Sequence, residues 1–414
     1  MKISTICTGS ELLKGTTINT NMAAIGIALT ELGMPPEQGM VVADAPQLIT
    51  DALKKLAPET DLIITSGGLG PTCDDLTRKV VCDFLGLELE VNSQLYEELT
   101  QRWRFRRSGT KPPPEYYNQA LAPHDAIILH NKVGSAPGML LESIINGKLL
   151  RVAMLPGPPS ELIPMLEDEL IPQLQKLADG KTLTHTTGFL IAGIPEMQAE
   201  KIIQPLLTET EVELALCASL YGVKVFFSGT NQTIVQQKAA EAAEQFGNLA
   251  LEAGSIDLIE DISKLLIQHK LTLCTAESCT GGMIAAAITD LPGASQLFSG
   301  SIIAYRNEVK EELLGVDKVL LETVGAVSAD CVEQMVAGVC DRFTANAGIA
   351  VSGIAGPTGG TVEKPVGLIY VAVQVNGEHI VKQFNFNGNR QMIRERTVAK
   401  ALLLLRELIL RTAK

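Results

Sequence analysis

The chain has 414 residues, 46% of them hydrophobic and only 4% aromatic, with a formal net charge of −13. That length exceeds one ordinary hydrophobic core and predicts two or three domains of aliphatic α/β packing. The acidic balance argues against broad binding to a phosphate backbone, which needs a basic face, so no nucleic-acid partner is expected.

Residues 1–172 alternate strand and helix patterns. KISTICTG reads as a strand, TNMAAIGIALTELG as a helix stopped at Gly33, and QGMVVA as a second strand. QLITDALKKLA is helical, DLIITSGG is a buried strand, and DDLTRKVVCDFLG is a helix closed by Gly86. This βαβαβα order predicts a parallel sheet covered on both faces. AIILHN, GMLLES and LLRVAML add strands, and SELIPMLEDELIPQLQKL is a closing helix.

Residues 180–252 change character. GFLIAG is a strand, PEMQAEKIIQPLL a helix, VELALCAS and KVFFSG pair across LYGV, and IVQQKAAEAAEQFG is an amphipathic helix. The βαββα unit resembles the arrangement of a KH-type domain but has no GxxG clamp, so a spacer or dimerisation role is expected rather than RNA binding. Residues 255–414 restart the alternation: helix DLIEDISKLLIQH, strand LTLCTAES, helix GGMIAAAITDL, strand SIIAY, a helical stretch, strands GIAVSG, GLIYVAV and HIVKQFNF, and a long helix from Gln391 to Leu410.

Met1 runs almost directly into an apolar strand, and ALLLLRELIL is broken by Arg406 and Glu407, so a soluble protein with no membrane partner is expected. Eight cysteines (7, 73, 82, 217, 274, 279, 331, 340) form no CxxC pair, and five histidines form no ligand-spaced cluster. Both facts point to a reducing, cytoplasmic setting and away from zinc. RWRFRR, residues 102–107, reads as the cationic last turn of a helix begun near Ser93, or else as a phosphate or subunit contact.

Three turns in the first domain carry chemistry: TGSELLKGTTINTN (8–21), TSGGLGPTCDD (65–75) and LPGPPSE (155–161). Gly67, Gly68 and Gly70 follow a buried strand, where glycines let backbone approach a phosphate and the next helix favours the anion. Asp74 and Asp75, at the start of that helix, either cap it or hold a divalent ion that bridges to phosphate. Thr8 to Glu11 ends another strand, and LPGPPSE reaches the same rim if its strand runs parallel.

In the last domain TAESCTGG (275–282) places Ser278 and Cys279 on a strand-to-helix turn. There a nucleophile is exposed while backbone N–H groups face an oxyanion. The GxSxG elbow is absent and no histidine is near, so the base would be a lysine with its pKa lowered by desolvation. YRNEVK supplies Tyr305 and Lys310, VSGIAGPTGG supplies Ser352, Gly353, Gly356, Gly359 and Gly360, and KPVG follows. Each has a plainer reading by itself: Ser278 as a helix cap, Lys310 as a solvated helix residue, the glycine run as a tight turn.

These patches resemble the CinA (competence/damage-inducible protein A) family. TGSELLKG, INTN, TSGGLGPTCDDLT, NKVGSAPGM and LPGPPSE occur in family order over most of residues 3–170. TAESCTGG, the spaced GS…AY.NE.K pattern, GAVS, SGIAGPTGG and KPVG cover nearly all of residues 258–410. The resemblance implies an α/β fold: a first domain similar to molybdenum-cofactor-biosynthesis (molybdopterin-binding-like) proteins, the small KH-like unit, and a PncC-type deamidase domain. For the last domain it implies hydrolysis of the carboxamide of nicotinamide mononucleotide (NMN), with no cofactor. For the first it implies a nucleotide or pterin-like phosphate site and, in some members, a metal-dependent ADP-ribose pyrophosphatase using Mg, Mn or Co.

Carried over, Ser278 attacks the carboxamide, Lys310 is the base, Tyr305 and Ser352 extend the relay, and N–H groups around Cys279, Thr280, Gly281 and Gly282 hold the oxyanion. Gly353, Gly356, Gly359 and Gly360, joined by Arg390 or Arg394, would fix the 5′-phosphate. Cys279 is the rival nucleophile. The first site would comprise Glu11, Asn19, Gly67, Gly68, Gly70, Thr72, Asp74, Asp75 and Gly157, with Asp74 and Asp75 on the metal. Asn19 stands where many members carry Asp, which removes one metal carboxylate, and Ser301 replaces a glycine. A homodimer is implied. Competing expectations are a non-catalytic nucleotide-binding scaffold or sensor, and a molybdopterin-adenylate enzyme.

Overall fold

The computed structural model describes residues 1–72, 74–106, 110–178 and 183–412. Cys73, Arg107 of the basic run and the expected domain boundary at 180 lie outside them. The chain forms two compact units, Met1–Thr186 with Gly229–Gln232, and Thr187–Ser228 with Thr233–Lys414.

The first unit runs β1 (Ile3–Thr8), α1 (Ser10–Leu13), α2 (Thr20–Glu31), β2 (Gln38–Val42), α3 (Pro46–Leu56), β3 (Leu62–Ser66), α4 (Thr77–Leu85), β4 (Glu90–Val91) and α5 (Ser93–Arg106). It continues with β5 (Leu121–Ala122), β6 (Ile127–Leu129), β7 (Gly138–Ile145), β8 (Lys148–Leu155), α6 (Pro159–Met165) and α7 (Ile171–Ala178). Six strands form one sheet in the order β2-β1-β3-β8-β7-β6. β2, β1, β3 and β8 are mutually parallel, as the βαβαβα pattern predicts, whereas β7 returns antiparallel to β8 and β6 antiparallel to β7. Both faces are covered, so neighbouring residues of one strand enter different cores: Leu62 and Ile64 pack with Ile3 and Leu155, and Ile63 with Ile6 and Val152. That double burial is why these strands read as continuous apolar runs. The closing helix is not uniform; a π turn at Leu166–Leu170 separates α6, which contains Pro164, from α7.

Next come β9 (His185–Ala192), α8 (Glu196–Ile203), β10 (Glu213–Ala218), β11 (Gly222–Gly229) and α9 (Gln232–Glu244), whose strands form a separate sheet ordered β10-β11-β9. β10 and β11 pair antiparallel from Glu213↔Ser228 to Ala218↔Val223, as the pairing across LYGV requires.

The remainder comprises α10 (Leu258–Gln268), β12 (Leu273–Glu277), α11 (Met283–Thr289), β13 (Phe298–Ile303), α12 (Asn307–Leu314), α13 (Lys318–Thr323), α14 (Ala329–Phe343), β14 (Ala347–Gly353), β15 (Leu368–Val375), β16 (Glu378–Asn385) and α15 (Arg390–Thr412). Its sheet is ordered β13-β12-β14-β15-β16, with β13, β12 and β14 parallel and the last two strands antiparallel. Leu190 and Leu251 bury in the same core as Ile349, Val351 and Leu405.

Both large sheets reverse their direction of growth at one place. The chain passes from β1 outward to β2 and then across to β3, and from β12 outward to β13 and then across to β14. The carboxyl ends of β1 and β3, and of β12 and β14, therefore flank the crevices where open α/β sheets take their ligands. Among the described residues no helix is long and apolar enough to cross a membrane.

Candidate active site

Ser278 lies one residue beyond the carboxyl end of β12, and its N–H donates to Val351 O of the neighbouring β14 at 3.1 Å. Alternation along β12 sends Glu277 and Ser278 to opposite faces. On one face Lys310, from α12, reaches Ser278: Nζ lies 3.4 Å from Oγ, 2.7 Å from Ala304 O and 3.3 Å from Tyr305 O. The lysine is only 1% exposed and Ser278 8%. Burial pushes the Lys310 ammonium below its ordinary value of 10.5, against smaller opposing effects of the Cys331 and Cys279 thiols and Glu308. A neutral amine has two N–H donors and one lone pair. As an ammonium Lys310 donates to all three oxygens; only on losing a proton would it keep its two N–H donors on the carbonyls and turn a lone pair to the Ser278 hydroxyl.

On the other face the Glu277 carboxylate, fully buried, accepts from the start of α11. Oε2 takes Gly282 N–H at 3.0 Å and Ile284 N–H at 3.1 Å, and Oε1 takes Ala285 N–H at 2.8 Å. These are helix-start donors with no intrahelical partner. Gly281 and Gly282 have φ of 61° and 94°, the left-handed region that lets the chain turn back within reach of its own Glu277. Thr275 Oγ1 stands 2.7 Å from Ser301 Oγ, so the serine at that position ties β12 to β13.

The turn after Ser278 is held from a third side. Arg394 Nε donates to Cys279 O at 3.1 Å, and Nη2 to Thr280 O at 2.6 Å. Burial pushes the Cys279 thiol up to about 12, with the nearby Glu277 charge adding to the effect, so at neutral pH it is not a thiolate. The sequence alone left Cys279 open as a nucleophile; its surroundings make it a packed core side chain of the α10–α15 face.

Several expectations are corrected by these contacts. The relay through Tyr305 and Ser352 is not formed. The Tyr305 side chain is 57% exposed and its hydroxyl accepts from Arg390 at 3.2 Å, while the Ser352 hydroxyl donates to Ala326 O at 2.7 Å. Gly282 N–H is no oxyanion donor, because Glu277 holds it, and Gly281 N–H donates to Ser278 O. Ser278 does not cap α11, whose N-cap is Gly282. Lys310 is not a solvated helix residue. Arg390 Nη1 donates to Gly356 O at 2.8 Å, which places it beside the loop carrying Gly353, Gly356, Gly359 and Gly360. Lys364 of KPVG bonds Val324 O and Val327 O and ties that loop to residues 324–328.

In the first unit the carboxyl ends of β1, β3 and β8 meet on one rim. Thr8 Oγ1 donates to Ser66 O and lies 3.3 Å from Thr77 Oγ1. Asn21 Nδ2 donates to Ser66 Oγ at 2.8 Å and to Gly157 O at 2.6 Å, so INTN ties β3's end to LPGPPSE. Gly67 and Gly68 have φ of 106° and 67°, and a Cβ on either would collide with Thr8 or Thr77. Asp75 packs over Gly70, and Thr72 Oγ1 bonds both Asp74 and Asp75. Neither aspartate caps α4, whose N-cap is Leu76. The Thr72 hydroxyl holds the Asp74 carboxyl below its ordinary range. Asn19 Oδ1 accepts Met22 N–H and caps α2, and Glu11 is exposed on α1 beside Gly9.

Among the described residues no three His, Cys, Asp or Glu side chains gather to hold a metal. The Asp74–Asp75 pair fits only an ion that keeps water and phosphate as its other ligands, in the manner of Mg²⁺. Sequence reasoning missed Glu277, Asn21, the Asp44 carboxylate that accepts Ser10 N–H, and buried Arg78, which donates to Leu69 O and Asn118 O. A glutamate at the end of a buried strand, five residues before a helix N-cap, was the readable signal for the first.

Residues 255–409 match a family model described as "CinA C-terminal domain", and residues 4–176 one described as "Probable molybdopterin binding domain". A relative in Thermoanaerobacter pseudethanolicus that carries the name competence-damage inducible protein is 37% identical over 416 residues, 99% of each chain. A CinA-like protein of Akkermansia muciniphila is 36% identical over 408 residues, 97% of each chain. Among solved structures, the competence/damage inducible protein CihA from Agrobacterium tumefaciens is 38% identical, with a TM-score of 0.35, covering 38% of this chain and 97% of its own. With two domain models in family order and full-length relatives above 35% identity, the chain belongs to the CinA, or competence-damage inducible protein, family.

Proposed function

We propose that the second unit hydrolyses the carboxamide of NMN to nicotinate mononucleotide and ammonia through a Ser278 acyl-enzyme. The observation that carries this reading is Ser278 Oγ beside the buried Lys310 Nζ, whose two other neighbours are carbonyls. Neutral Lys310 takes the Ser278 proton as Oγ bonds to the carboxamide carbon, and the carbonyl oxygen becomes an oxyanion. N–H groups of the Cys279–Thr280 turn stabilise it. The Lys310 ammonium returns its proton to the departing nitrogen as the C–N bond breaks, releasing ammonia. Water then attacks the ester, its proton passing to Lys310 and on to Ser278 Oγ as nicotinate mononucleotide leaves. The Gly356–Gly360 loop and Arg390 hold the 5′-phosphate. A pure nucleotide binder has no use for a buried amine against a hydroxyl.

The test is ammonia release from NMN by the whole chain and by Ser278→Ala. Release that falls by about 10³-fold or more in a variant that melts like the wild type supports the reading. No release from the wild type, or equal release from both, overturns it.

A second reading concerns the first unit. The Thr72–Asp74–Asp75 cluster beside Gly67–Gly70, at the β1/β3 crevice, supports a nucleotide-diphosphate site such as one for ADP-ribose. A divalent ion on the two carboxylates would neutralise phosphate charge there. AMP formed from ADP-ribose with Mg²⁺, Mn²⁺ or Co²⁺ supports turnover; binding without AMP leaves a binding module.

A further inference from the structure

Two arginines stand one turn apart on the first turns of α15, and their guanidiniums do different things. Arg390 bonds the glycine loop and the Tyr305 hydroxyl. Arg394 spends Nε and Nη2 on Cys279 O and Thr280 O, the two carbonyls that follow the Ser278 peptide. Its backbone is anchored: Ile393 is 1% exposed and Thr397 is fully buried, with Thr397 Oγ1 donating back to Ile393 O.

We infer that Arg394 is a positioning residue for the nucleophile turn and not a ligand of the substrate's phosphate. The inference rests on the reading of Ser278 as the nucleophile. In a trans peptide the C=O and N–H point opposite ways. Holding Cys279 O on α15 therefore fixes the plane of the whole Cys279–Thr280 peptide, whose N–H lies against the Cys279 thiol, and with it the backbone that carries Ser278. Glu277 holds the far side of the same turn through Gly282, Ile284 and Ala285 N–H. A cation on the carbonyls and an anion on the amides brace residues 279–282 from both ends. Ser278 is thereby kept against Lys310. Removing the cation leaves the binding surface in place and loosens the turn.

The experiment compares wild type, Arg394→Ala and Arg394→Lys with NMN and with its dephosphorylated nucleoside, with and without added guanidinium. Arg394→Ala is expected to lower kcat about 10- to 100-fold on both substrates, with KM for NMN changed less than about threefold, and guanidinium to restore part of the rate. Arg394→Lys, which cannot bond two carbonyls in one plane, is expected to recover little. A raised KM for NMN with kcat kept, and unchanged turnover of the nucleoside, would overturn the inference in favour of a phosphate ligand. The rate of Ser278 sulfonylation by phenylmethanesulfonyl fluoride, a probe with no phosphate, separates the two claims. If the wild type is labelled but releases no ammonia, the NMN reading fails alone. Slower labelling of Arg394→Ala, rescued by guanidinium, then still supports positioning, and equal labelling rates refute it. A wild type neither labelled nor active ends both.

Discussion

Lys310 Nζ touches Ser278 Oγ at 3.4 Å across 32 residues of sequence, with the lysine packed so that it is only 1% exposed. In the proposed mechanism this amine acts as a base only when it is neutral. The acid limb of the rate profile should therefore follow Lys310, at a pH below its ordinary 10.5.

The same burial is a stability statement. Because the folded value lies below 10.5, the unfolded chain holds more protons than the folded one between those two values, and stability rises with pH through that window. Below the window both states are protonated and the cost of burying the charge is at full strength. Urea denaturation of wild type and Lys310→Met at pH 7 and pH 10 should show the wild type gaining on the variant as pH rises. A constant difference would show that the ammonium is not desolvated.

Cys279, pushed up to about 12 by burial, should behave as an inert thiol. Cys279→Ala is expected to keep turnover within about fivefold of wild type, and iodoacetamide to spare Cys279 in the folded protein. Loss of activity in Cys279→Ala with Ser278→Ala still active would reverse the assignment of the nucleophile.

Glu277→Gln replaces one acceptor oxygen by an NH₂ group facing backbone N–H donors at the start of α11. At least one of these N–H groups then loses its partner inside the protein. A loss of about 2–3 kcal/mol is expected from the urea midpoint. A loss under about 0.5 kcal/mol would mean that the turn does not depend on this carboxylate.

Gly68→Ala tests the crowding of the first rim. The residue has φ of 67° and no room for a Cβ beside Thr77. Destabilisation of about 1–3 kcal/mol is expected, together with weaker retention of ADP-ribose, read by calorimetry. Unchanged stability would show that Thr77 can give way.

Much of the architecture was legible along the chain. DLIITSGG read as a buried strand and LTLCTAES as a strand because both faces of each sheet are covered and their runs are apolar, and VELALCAS with KVFFSG read as a hairpin because four residues separate two β-rich runs. From the residues alone Ser278 read as well as a helix cap, with Cys279 its rival as nucleophile, and it was the family resemblance that singled it out. The hydrogen-bond relay expected through Tyr305 and Ser352 is not formed, for a physical reason. Order along the chain puts a residue on a rim, but a hydroxyl bonds whatever donor or acceptor lies within about 3 Å of it. For Ser352 that was Ala326 O, and for Tyr305 it was a guanidinium 85 residues away.

Sequence alone determined that two alternating α/β segments flank a βαββα unit, and that glycine-rich turns end their parallel strands. Local patterning suffices for this, since helix and strand periods and turn residues act over a few positions. Only the tertiary structure decided which charges are buried and what they hold. Lys310 reaches Ser278 over 32 residues and Arg394 reaches Cys279 over 115. Desolvation and directed hydrogen bonds exist only after distant elements have packed, and they bury Lys310 against Ser278 and seat Arg394 on the Cys279 and Thr280 carbonyls.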